Sequence, residues 1–322
     1  MTDELDVLAV GRVSVDLYPE QSGVRLADVR TFAKSLGGTA TNVAVAASRL
    51  GHRSAVLTKV GADGFGDYVR SALTEFGVDA AYVSTAVGLN TPVVFCELFP
   101  PEDPPLLFYR APAAPDQMLV PSDVPWDLVT TVPVLWVTGT GVCQDPARST
   151  QHDMLARRGR PSAGSGRHTV LDLDWRPSFW SSAEEAREQY ERMLPFATVA
   201  VGNRAEVEVA VGTSDPEEAA RRLLDCGVEL VLVKKGADGV LVASPSEMVT
   251  VPPHLVKVLC GLGAGDAFGG ALIHGLLTGL SPERTAALAN AAGAIVASRL
   301  ACADAMPTLS ELDALGSAPR TI

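Results

Sequence analysis

The chain has 322 residues, 47% hydrophobic and 20% charged, a globular balance long enough to bury a sizeable core. Its 26 basic residues face 38 acidic ones, and the net charge of −12 excludes sequence-independent binding to nucleic acid, which needs a basic footprint. A small anionic substrate stays open, because a pocket can be locally positive on an acidic protein.

The N-terminal MTDELDVLAVG lacks a basic leader and enters an apolar strand at once, and no apolar run reaches the roughly 18 residues of a membrane span. A cytoplasmic protein with no membrane partner is expected. DVLAVG (6–11) reads as the first of six strands, followed by SAVLTKVG (54–61), VLWVTGT (134–140), TVLDLDW (169–175), TVAVGN (198–203) and ELVLVKKG (229–236). They are rich in Val and Leu and apolar on both faces, as in a parallel sheet covered by helices. Helical segments between them carry end signals. Ser214 with Glu217 reads as a capping box ahead of a helix closed by Gly227, and Ser281-Pro282-Glu283 opens another. This alternation predicts one α/β domain over 1–322 with a doubly wound, mostly parallel sheet.

Two stretches break the rhythm. Residues 12–35 read as extended, and TPVVFCELFPPEDPPLLFYR (91–110) reads as two strands around a proline-rich turn. Together they predict a small antiparallel flap over one end of the domain. Val94, Phe95, Leu107 and Phe108 make that flap apolar, so a homodimer through paired flaps is expected. RRGRPSAGSGRH (157–168) reads as a surface loop. The five cysteines are scattered without a CxxC, and the histidines form no HxxxH or HExxH, which argues against a zinc site or a disulfide framework.

GLGAGDAFGGALIHGLLTGL (261–280) carries the most chemistry. Gly263, Ala264 and Gly265 precede a long helical pattern, so backbone N–H groups at a helix N-terminus can form an anion hole. Asp266 at the helix start is either a proton acceptor for an attacking hydroxyl or an ordinary cap. The Rossmann glycine pattern, the Walker A lysine and the GxSxG elbow are all absent.

GAGDAF (263–268) resembles the second signature of the ribokinase-like, or PfkB, carbohydrate kinases, and GGTATN (37–42) resembles their first. KVGADGFG (59–66), the NxxE formed by Asn203 and Glu206, KKGADGVL (234–241) and ANAAGA (289–294) follow in the family's order. The resemblance implies a ribokinase-like fold with a β lid, and a kinase using ATP and Mg2+. It implies Asp266 as general base and Gly263, Ala264 and Gly265 as the anion hole. Asp16, Gly38 and Asn42 would bind sugar hydroxyls. Asn203, Lys235, Gly236, Gly239 and Asn290 would line the nucleotide, with Asn203 and Glu206 organising magnesium through water. Longer strings, among them GRVSVDLYPEQ (11–21), PPEDPPLLFYR (100–110) and LDLDWRP (171–177), are similar to the sugar-acid kinases of myo-inositol catabolism. That narrower likeness implies phosphorylation of the C6 hydroxyl of 5-dehydro-2-deoxygluconate. Kinases for 2-dehydro-3-deoxygluconate or fructose are the alternatives, and a non-catalytic sensor is a further one. A bound carboxylate needs a guanidinium, and Arg176, Arg12 and Arg110 are the candidates, Arg176 first. One departure stands out. The Asp-Thr that many members carry before GAGD is here Cys260-Gly261, which puts activation by a monovalent cation in doubt.

Overall fold

The computed structural model describes residues 4–99 and 105–317. Nine strands form the larger sheet, in the order β13-β12-β11-β10-β9-β8-β1-β4-β5. β1 (Val7–Val10), β4 (Ser54–Gly61), β5 (Val83–Ala86), β8 (Val134–Thr138), β9 (His168–Asp172), β10 (Val199–Asn203) and β11 (Leu230–Lys234) are parallel. β12 (Val240–Ala243) and β13 (Met248–Val251) finish one edge antiparallel. All six strands expected from the sequence are present. β1 and β8 are buried along their whole length, because helices cover both faces of the sheet.

On one face lie α1 (Thr39–Arg49), α2 (Gly64–Glu75), α8 (Ala264–Thr278), α9 (Pro282–Ala297) and α10 (Leu309–Ser317). On the other lie α3 (Trp126–Thr131), α4 (Ala147–Arg158), α5 (Ala183–Met193), α6 (Arg204–Val211) and α7 (Pro216–Asp225). α1 and α8 run close together, since a Cβ on Gly270 would fall 2.3 Å from that of Ala46. Near their N-terminal ends Asn42 Nδ2 donates to Asp266 Oδ2 at 2.7 Å. Toward the other end the ring nitrogens of His52 and His274 meet at 2.9 Å. Among the described residues no helix is long and apolar enough to cross a membrane.

The cap of α7 is shifted by one residue from the sequence expectation. Asp215, not Ser214, is the N-cap and accepts from the amide of Glu218 at 2.8 Å. Pro216 sets this register, because a proline at the first helical position holds the residue before it extended. Ser281 caps α9 as expected. The predicted loop begins two residues late, since Arg157 and Arg158 end α4. Arg158 is buried, donating to the carbonyls of Val129 and Val132.

The flap is a four-stranded sheet, β3-β2-β6-β7, of β2 (Ser14–Pro19), β3 (Phe32–Gly37), β6 (Val93–Cys96) and β7 (Leu106–Tyr109). β2/β3 and β6/β7 pair antiparallel, while β2 and β6 form a parallel seam. The proline-rich turn at 100–104 lies outside the described residues. Strand alternation divides the apolar flap residues. Val94 and Leu106 face the cleft beneath, Leu17, Val93, Phe95 and Tyr109 line an outer hollow of about 910 Å³, and Phe108 borders both.

Candidate active site

A cleft of about 300 Å³ opens where the C-terminal ends of the parallel strands meet the flap. β1 lies between β4 and β8, so the chain leaves it to both sides, and such a switch point is where open α/β sheets bind ligands. Arg12 follows β1, Thr140 follows β8, Asp172 ends β9, Asn203 ends β10 and Lys234 ends β11. The start of α8 closes the floor, and Asp16 comes down from the flap.

Gly263 caps α8 in the left-handed conformation at φ 83°, where a Cβ would also come within 3.0 Å of the Cys302 sulfur. No side chain caps the helix, so its N-terminus is left to an anion. Gly263 and Gly265 border the cleft, while the amide of Ala264 turns back to the carbonyl of Gly261 at 3.2 Å. Asp266 caps nothing. It sits in the first turn and accepts the Asn42 amide, which removes the cap reading and leaves a carboxylate held toward the cleft. Burial raises its pKa to about 6, with the Asn42 bond opposing and the charge of Asp174 adding to the rise. A carboxylate so tuned can accept a proton near neutral pH.

Beneath the flap, Gly38 and Asn42 line the cleft, with Gly38 at φ 99° and no room for a side chain, which would meet the Arg12 carbonyl at 2.5 Å. Asp16 is buried, accepts from Ser14 Oγ at 2.7 Å, and is raised by burial to about 6. Arg12 is buried and paired with Asp174 at 3.3 Å. Arg176 stays partly exposed, its Nε 3.4 Å from the other Asp174 oxygen. Burial would raise Asp174, but Arg12 and then Arg176 bring it down to about 2. Arg110 instead borders the hollow outside the flap and is bound to Asp116 at 2.6 Å, its guanidinium 5.0 Å from the Phe179 ring.

Beside the floor, a second cleft of about 520 Å³ is lined by Gly236, Gly239, Val256, Phe268, Asn290 and Ala294. Three of the expected nucleotide-side residues meet there. Asn290 also donates to the Pro252 carbonyl at 2.8 Å. Lys235 does not join them, since its Nζ goes to Thr250 Oγ at 3.0 Å. Lys234, which the sequence reading passed over, borders both clefts. Burial would lower its pKa, but Glu206, Asp172 and Asp266 outweigh that and raise it, so it stays a cation. The parity of β11 holds the signal: Lys234 ends the strand and points into the cleft, while Lys235 belongs to the following turn.

Asn203 and Glu206 face the cleft as a reciprocal capping box on α6. Asn203 Oδ1 accepts from the Glu206 amide at 3.0 Å, and Glu206 Oε2 accepts from the Asn203 amide at 2.6 Å. Asp172 is also buried and borders the cleft. Burial drives its pKa well above the usual range, with Lys234 only partly opposing. Cys260 is buried with Tyr18, Cys96 and Cys302 where flap and floor join.

The sequence profile of the pfkB family carbohydrate kinases matches residues 4–309. The 5-dehydro-2-deoxygluconokinase of Shouchella clausii is 32% identical over 316 residues, covering 97% of this chain and 95% of that one. The enzyme of the same name from Bacillus subtilis is 29% identical over 315 residues, covering 96% and 95%. A double mutant of a Vibrio cholerae fructokinase, in its fructose, ADP and potassium ion bound form, superposes with a TM-score of 0.84 at 28% identity over 98% of this chain and 99% of that one. Aminoimidazole riboside kinase from Salmonella enterica, complexed with aminoimidazole riboside and an ATP analog, gives 0.79 at 25% identity over 97% and 99%.

Proposed function

The chain belongs to the pfkB family of carbohydrate kinases and is an ATP-dependent sugar kinase, and from that premise we propose that it phosphorylates the C6 hydroxyl of 5-dehydro-2-deoxygluconate, giving the 6-phosphate and ADP. The observation that carries the substrate is the guanidinium of Arg176. Its Nε lies 3.4 Å from Asp174 Oδ1 without making a hydrogen bond, and the guanidinium borders the cleft, where a carboxylate would satisfy its donors. The relatives named 5-dehydro-2-deoxygluconokinase support the same choice.

Asp266 takes the proton from the hydroxyl as its oxygen attacks the γ-phosphoryl group. The N-terminus of α8 and the Lys234 ammonium stabilise the charge on that group. Asp16, Gly38 and Asn42 orient the sugar, while the walls around Gly236, Gly239 and Asn290 hold the nucleotide. The donor set fits a hydrated magnesium. Glu206 spends one oxygen on its capping bond and leaves the other to a water of the ion. Asn203 and Glu206 would hold the ion through water, and it would neutralise the phosphates. With Cys260-Gly261 in place of Asp-Thr, no activation by potassium is assigned.

We read 1–322 as one kinase domain with the four-stranded sheet as its lid. The lid's outer face, with Leu107 and Tyr109 exposed, pairs with a second copy. A monomer in light scattering at micromolar concentration, with full activity, would refute that pairing. All five cysteines are free thiols, in keeping with the cytoplasm. The substrate is tested with a coupled assay over a panel of sugar acids and neutral sugars. Arg176→Ala should raise KM for the acid by an amount worth about 2–4 kcal/mol. A wild type that prefers fructose to every acid tested would leave only the family-level activity.

A further inference from the structure

We propose that Asp174 is a positioning residue for substrate charge, tying Arg12 and Arg176 to one carboxylate so that Arg176 turns its free donors to the acid group of the sugar. The inference rests on the sugar-acid reading above.

Asp174 Oδ2 takes three bonds, from Arg12 Nη2 at 3.3 Å, from Thr39 Oγ at 3.2 Å and from Thr140 Oγ. The two hydroxyls in turn accept from Arg12, Thr39 at 2.6 Å and Thr140 at 3.1 Å. Arg12 and Asp174 are therefore locked by a direct contact and two hydroxyl bridges, all of it buried. Only Oδ1 is left for Arg176, at 3.4 Å, and this contact is too long to use up the guanidinium. Two guanidiniums on one carboxylate leave the cluster with one net positive charge, matching the single charge of a sugar acid. Arg110 lends nothing to this count, because Asp116 neutralises it.

The backbone adds a second, independent sign. Asp174 sits at φ 31°, rare outside glycine, one residue past a carbonyl fixed by Tyr190 Oη at 2.7 Å. Strain of this kind persists where surrounding structure dictates it, and here it swings the carboxylate between the two arginines. Asp174 carries a charge that also raises the pKa of Asp266.

Asp174→Asn tests the proposal, because asparagine tolerates the same backbone and can still accept from both hydroxyls. With 5-dehydro-2-deoxygluconate, KM should rise roughly tenfold to a hundredfold, while KM for fructose moves less than about threefold. The acid limb of the pH profile should also move to lower pH, since Asp266 loses a neighbouring negative charge. Parallel losses for both sugars with an unmoved limb would assign Asp174 a purely structural role and overturn the proposal. Should the asparagine variant fail to fold, Thr39→Val strips one bridge at constant volume. It should narrow the preference for the acid several-fold in the same direction, and an unchanged preference overturns the proposal equally. A wild type with no preference for acids would remove the parent reading, and this is seen before any variant is made.

Discussion

The two ends of the cleft are built from different material. At the end beneath the flap the walls are polar side chains: Arg12, Asp16, Asn42, Asp174 and Arg176 converge, all but Arg176 buried, with Arg12 and Asp174 bonded to each other. In the second cleft, the walls are glycines, alanines and apolar side chains such as Val256 and Phe268, with Asn290 spent on a backbone carbonyl. The difference teaches where specificity is stored. A network of buried charges is intolerant of any one change, whereas a wall of backbone and apolar surface shares its contribution among many small contacts. Lys234 stands at the junction, in both clefts.

The largest effect should come from the floor that both ends share. Asp266→Asn should lower kcat by roughly 10²–10⁴, the usual worth of a positioned general base, and leave ATP binding almost unchanged. In the wild type, Asp266 with its pKa raised to about 6 must be ionised to act, so kcat/KM should fall as pH drops through that value. A loss below about tenfold in the variant would deny Asp266 the role of base and shift the weight of catalysis to the anion site.

Next comes the junction. Lys234→Met should cost on the order of tenfold to a hundredfold in kcat, as loss of a cation beside a transferring phosphoryl group does. Lys235→Ala should change either parameter by less than about twofold, because that ammonium is bonded to Thr250 at the sheet edge. Equal effects at the two lysines would erase the boundary drawn here between the clefts. A smaller effect than at Lys234 is expected at Glu206→Gln, which keeps the capping bond and removes one charge. It should raise the magnesium needed for half-maximal rate several-fold with little change at saturation. An unchanged magnesium titration would return Glu206 to the helix cap alone.

The same contrast explains what could be read from the chain. The strands were legible because burial on both faces leaves a continuous apolar run. The glycines of GAGDAF and GGTATN were legible because close approach to a backbone permits little else. Side-chain direction was less so. Choosing between Lys234 and Lys235 needed the parity of β11 and the residue at which it stops. Asp174 lies inside LDLDWRP, yet its partners Arg12, Thr39 and Thr140 come from three other places in the chain. Likewise the NxxE at 203–206 has a local meaning, a capping box, that its spacing alone already permits. The flap was read correctly as apolar, but its division into an inner and an outer face awaited the pairing of β6 with β7.

The close contact of α1 with α8 has a mechanical consequence. The two helices are pinned near one end by Asn42 and Asp266 and toward the other by His52 and His274, with Gly270 pressed on Ala46 between. A beam fastened at both ends and seated along its length neither swings nor slides with ease. The carboxylate proposed as base is thus bolted to the frame of the molecule, and of the flap's strands β3 runs into that frame through Gly38 alone, whereas β6 and β7 join it through longer connections.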